Sequence, residues 1–137
     1  MKELLRCKTV QEAFRFLEKD DKRTLQETLE MCQIPAPSYQ EEKKAEYVFG
    51  KMQEAGLEDV HIDAVGNVLG VRKGNGNGPR IVLAGHTDTV FPMETDLTLK
   101  QDGNRYSCPG IGDDTRAVAE LLSICLLYTS DAADDRI

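Results

Sequence analysis

Two short segments hold residues whose types and spacing could do chemistry. The first is Gly85-His86-Thr87-Asp88-Thr89-Val90-Phe91-Pro92, directly after the apolar run Arg80-Ile81-Val82-Leu83-Ala84. A histidine just beyond a buried strand can offer a ring nitrogen to a metal ion at about 2.0–2.1 Å. An aspartate two residues on can accept the other ring N–H and so fix the tautomer. The second is Cys108-Pro109-Gly110-Ile111-Gly112-Asp113-Asp114-Thr115-Arg116. Its glycines allow close approach and unusual backbone angles. The paired carboxylates have two explanations, complementing a helix dipole or sitting beside a divalent cation.

The elements that must position these residues are legible in the apolar periodicity. Val10, Ala13, Phe14 and Leu17 make one helical stripe, and Leu25, Leu29 and Cys32 make another after the charged run Asp20–Arg23, which reads as a break. Ile34-Pro35-Ala36-Pro37 stops helix formation. Ser38 and Glu41 have the spacing of a capping box for a helix with Ala45, Val48, Phe49 and Met52 inward and Gly56 just past its end. Val60, Ile62 and Ala64 then alternate with polar residues as in a half-buried strand. Asn67–Val71 reads as a second strand and Arg80–Gly85 as one covered on both faces. Leu97–Lys100 and Arg105–Ser107 flank Asp102-Gly103-Asn104 as a hairpin. Asp114–Ile124 is a helix with Val118, Leu121 and Leu122 inward, and the glycine cluster 74–78 lacks the Lys-Ser/Thr of a phosphate loop.

Composition narrows the function classes. The 137 residues are 40% hydrophobic and 30% charged, ordinary for one globular domain. A net charge of −7 argues against a nucleic-acid partner. No apolar run is long enough to span a membrane, and the start carries no signal-peptide pattern. Cys7, Cys32, Cys108 and Cys125 share no dense spacing, which points to reduced thiols in the cytoplasm. The stretch from Cys125 to Ile137 resembles one translated frame of a transposase-type sequencing adapter. Residues 1–124 are therefore expected to be native and 125–137 not.

Taken together, the segments resemble metallopeptidase family 20, which includes glutamate carboxypeptidases, tripeptide aminopeptidases, aminoacylases and succinyl-diaminopimelate desuccinylases. The resemblance runs through Ile34-Pro35-Ala36-Pro37-Ser38, Glu54-Ala55-Gly56-Leu57, Asp63-Ala64-Val65-Gly66-Asn67-Val68, His86-x-Asp88 and Gly112-Asp113-Asp114. It implies an α/β fold, a zinc-peptidase-like catalytic domain with a mixed sheet flanked by helices, truncated and without its lid domain. It also implies that His86 is a terminal zinc ligand and that Asp113 bridges two zinc ions. Asp88 is then the catalytic-site residue that clamps the His86 ring, and Asp114 follows Asp113 across a cis peptide. Two ions about 3.5–4 Å apart would activate a shared water and polarise the scissile carbonyl.

The substrate implied is a small peptide or an N-acyl amino acid, and the parent a homodimer formed through the lid. The general base, the remaining ligands and a second zinc histidine fall beyond Ile124, so the chain as it stands is expected to be inactive. Thr115, Arg116 and Ala117 depart from the Lys and Gly common in relatives. His61, on a strand's outer face, has no expected metal role. The alternative is a non-catalytic binding or scaffold protein that keeps the fold.

Overall fold

The computed structural model describes residues 3–74 and 78–127. Residues 75–77, within the glycine cluster, and most of the adapter-like stretch (128–137) lie outside the described residues. Helix α1 runs unbroken over Lys8–Met31. The charged run does not interrupt it, because its charges pair along the helix: Arg23 bonds Asp20 at i−3 and Glu27 at i+4. The proline segment ends it. Helix α2 covers Glu42–Glu54 and closes with Gly56 at φ 68°. There Leu57 N donates to Met52 O and Gly56 N to Gln53 O, the pair of bonds of a Schellman cap.

The expected capping box is not formed. Glu41 stands at the N-cap without a side-chain cap bond, and its carboxylate accepts from Tyr39 N at 2.6 Å. Ser38 is engaged elsewhere, as described below.

Strand β1 (Glu58–Ile62) pairs antiparallel with β2 (Val68–Val71) around a turn held by Asp63. That carboxylate accepts from the backbone of Val65 and Asn67 and from the Asn67 amide. Val60 and Val68 pack towards the core, whereas Ile62 and Ala64 are exposed. Strands β3 (Lys100–Asp102) and β4 (Arg105–Ser107) form a second antiparallel hairpin across Gly103-Asn104, with Gly103 at φ 58°.

Helices and strands are thus mixed as expected, but among the described residues the strands form two separate two-stranded sheets. Among the described residues the expected mixed sheet is not formed. Residues 80–85 make no strand, and Ile81 and Val82 are 79% and 85% exposed. A doubly covered strand needs neighbours on both edges and layers on both faces, and the described residues put none beside this run.

Helix α3 (Arg116–Leu127) packs along α1, starting slightly later and extending further than the periodicity predicts. The core lies between α1, α2 and α3: Met31, Val48, Met52, Val118, Ala119 and Leu122 are buried together. Phe49 is only half-buried. Polar bonds lock α1 to α3, with Ser123 donating to Asp20 and Arg116 to Asp21. Among the described residues no helix is long and apolar enough to cross a membrane.

Candidate metal centre

Three segments converge at one edge of this helical layer. The extended run 80–85 delivers His86, and residues 36–38, just before α2, lie alongside 88–89. Thr89 N donates to Ala36 O at 2.7 Å, and Pro37 and Thr89 form a parallel bridge. The turn Ile111–Thr115 then brings in the acidic pair, with Asp113 and Asp114 at non-helical angles and a cis peptide between them. Gly110 permits this approach. It sits at φ 77°, and a Cβ there would lie 2.8 Å from Thr89 Cγ2.

The His86 ring is held at both nitrogens. Nδ1 lies 3.1 Å from the Asp88 carboxylate and 3.1 Å from the Asp88 carbonyl oxygen. Nε2 lies 3.1 Å from Asp113 Oδ1. The sequence-predicted residues His86, Asp88 and Asp113 therefore stand together. His61 stands apart on β1, its Nδ1 2.8 Å from Asp59 O. Two residues make contacts that sequence reasoning did not assign to them. Asp114 was assigned to the helix start, yet its carboxylate accepts from His86 N at 3.2 Å. Ser38 donates to the second oxygen of Asp88 at 2.5 Å.

Electrostatics at the site favour positive charge. Partial burial opposes protonation of His86, but the bonds to Asp113 and Asp88 outweigh it and raise its pKa above the usual histidine value. Asp88 is held below the usual carboxylate range, chiefly by the Ser38 hydroxyl, with His86 adding to the effect. A proton between Nε2 and Oδ1, or a divalent cation in the same gap, satisfies this arrangement.

The separation is compatible with either, since 3.1 Å is also an ordinary N–H···O distance. Two ligands on a tetrahedral ion at about 2.05 Å stand roughly 3.3 Å apart, close to the 3.1 Å between His86 Nε2 and Asp113 Oδ1. The set is partial: among the described residues no group of three or more His, Cys, Asp or Glu is arranged to hold a metal ion. The site opens to a cleft of about 310 Å³, whose apolar wall is Val90, Phe91 and Ile111.

Similarity to known proteins is consistent with this chemistry. The chain is 46% identical over 61 residues to a Pyrococcus abyssi protein named as a LysW-lysine/LysW-ornithine hydrolase, covering 44% of this chain and 17% of that one. It is 45% identical over 70 residues to the cytosol non-specific dipeptidase of Escherichia coli, covering 48% and 14%. It is 30% identical over 104 residues to the succinyl-diaminopimelate desuccinylase of Corynebacterium glutamicum, covering 75% and 28%. These relatives, each similar to part of this chain, all belong to metallopeptidase family 20. The chain spans between about a seventh and just over a quarter of the length of these family 20 relatives. No family model matches the chain.

Proposed function

We propose that the whole protein is a zinc-dependent hydrolase that cleaves the amide bond of a small peptide or an N-acyl amino acid in the cytoplasm. The observation that carries this is the histidine held between two carboxylates, Asp88 at Nδ1 and Asp113 at Nε2. The names of the relatives, a dipeptidase, a desuccinylase and a LysW-lysine hydrolase, support amide hydrolysis.

In this reading His86 and Asp113 are metal ligands, with Asp113 shared between two ions. Asp88 keeps the Nδ1 proton, so that the Nε2 lone pair faces the metal. Asp114 fixes the His86 backbone, and the Val90–Phe91–Ile111 wall receives an apolar part of the substrate. When bound, the zinc ions would supply Lewis acidity to the scissile carbonyl and to the hydrolytic water.

This chain offers one histidine and one bridging aspartate, fewer than the three protein ligands usual in catalytic zinc sites. Activity is therefore assigned to the complete protein. The test is a paired assay of this chain and the complete gene product against dipeptides, tripeptides and N-acyl amino acids with added zinc. Zinc-dependent turnover is expected only from the complete protein. Turnover by this chain, or none by the complete protein, would contradict the proposal, and the latter result would favour a scaffold.

A further inference from the structure

We infer that Ser38 is a positioning residue for His86, acting through Asp88. The sequence pattern spends Ser38 on a helix cap, but α2 starts without any side-chain cap, and Glu41, the other half of the box, is bonded to Tyr39 N. The Ser38 hydroxyl instead crosses to a segment 50 positions away and donates to Asp88 Oδ2 at 2.5 Å. The other oxygen, Oδ1, faces His86 Nδ1 at 3.1 Å.

A carboxylate with one committed oxygen can rotate about its Cβ–Cγ bond and present either oxygen, or neither, to the ring. With both oxygens engaged it cannot turn without losing two bonds. The backbone reinforces the lock, because Thr89 N on Ala36 O and the Pro37–Thr89 bridge fix the two segments on either side of the Ser38–Asp88 contact. The result is a chain of side-chain contacts, Ser38 to Asp88 to His86, that sets the ring plane and favours the Nδ1–H tautomer against Asp113, the competing acceptor at Nε2.

Because Ser38 and His86 are exposed, water competes for these bonds. The effect belongs at the low end of the 10–100-fold range for groups supporting a metal-bound histidine, about tenfold.

The experiment reads the tautomer first and the metal second, using the 137-residue chain. With the ring neutral at alkaline pH, long-range ¹⁵N–¹H NMR of His86 gives the ratio of Nδ1–H to Nε2–H forms. Zinc affinity follows by competition with a chelator. Ser38→Ala and Ser38→Val should each lower the Nδ1–H share by roughly three- to tenfold and weaken zinc by about tenfold. Ser38→Thr, isosteric with valine but keeping the hydroxyl, should restore both. An unchanged tautomer ratio in Ser38→Ala, or a threonine variant that behaves like valine, overturns the inference.

Only the zinc readout rests on the proposed function. If the wild-type chain binds no zinc while the tautomer still follows the hydroxyl, Ser38 keeps its role and the metal reading fails. If zinc binds equally to all variants and the tautomer does not move, the Ser38 inference fails alone.

Discussion

Lys44 gives the sharpest test of the energetics. It is among the largest fully buried side chains, 2% exposed, and sits on α2 beside the Cys32 and Cys108 thiols and within the field of Asp88. Removal from water pushes its pKa below the usual lysine value. Attraction to the thiols and to Asp88 acts the other way without cancelling the shift. Methionine has nearly the same length and no charge to bury. Replacing a buried ion pair by apolar side chains of similar volume is often neutral or stabilising by about 1–4 kcal/mol, and a buried lysine without a close ion-pair partner has less Coulombic gain to lose.

The partial compensation by Asp88 puts Lys44→Met at about 1–2 kcal/mol more stable, or roughly 3–10 °C in melting temperature for a domain of this size. The pH dependence has a definite sign. Between the lowered native pKa and the unfolded value near 10.4, the unfolded chain holds a proton that the native state releases. Lysine's share of stability therefore rises with pH across that window. The advantage of the methionine variant should accordingly shrink as pH rises from neutrality towards the unfolded value near 10.4. Thermal melts of both proteins across that range measure it. A variant that melts lower than wild type at pH 7, or a difference constant with pH, would refute the assignment of Lys44 as a destabilising buried charge.

Other perturbations test the remaining links. Leu122→Ala removes a side chain 1% exposed at the α1–α3 contact and should cost about 2–5 kcal/mol in denaturant unfolding. Gly110→Ala places a methyl 2.8 Å from Thr89 Cγ2 at a positive φ and should cost about 1–3 kcal/mol, with chemical-shift changes at Thr89 and Ala36. Burial opposes the charge on Asp20, but bonds from Arg23 and Ser123 outweigh it and hold its pKa below the usual aspartate range. Its contribution is thus present above about pH 4 and lost as pH falls through the native value. Asp20→Asn should flatten that part of the acid-unfolding curve.

The contrast between what was and was not legible has a physical basis. Helix α2 and its glycine cap, the hairpin at Gly103, and the inward faces of Val118 and Leu122 follow from local patterns, and local bonds satisfy them. His86, Asp88 and Asp113 were legible as a set only through the family resemblance, since a loop histidine and an acidic pair at a helix start each have an ordinary reading alone. Ser38 was misassigned because S-x-x-E is the same string whether the hydroxyl caps its own helix or reaches a partner 50 positions away. Asp114 was misread likewise, since a carboxylate before a helix looks like a dipole partner until His86 N is placed beside it. The apolar run Ile81-Val82-Leu83 states a demand for burial without saying which strands meet it, and the described residues do not.

The central claim is that His86 and Asp113 hold zinc in a two-metal amide hydrolase. Diffraction from crystals of the complete protein, with anomalous scattering collected at the zinc edge, tests it most directly. Two zinc peaks are expected about 3.5–4 Å apart, one of them within about 2.0–2.2 Å of His86 Nε2, with the Asp113 carboxylate touching both. Zinc bound elsewhere while His86 Nε2 still faces Asp113 without an ion would contradict it.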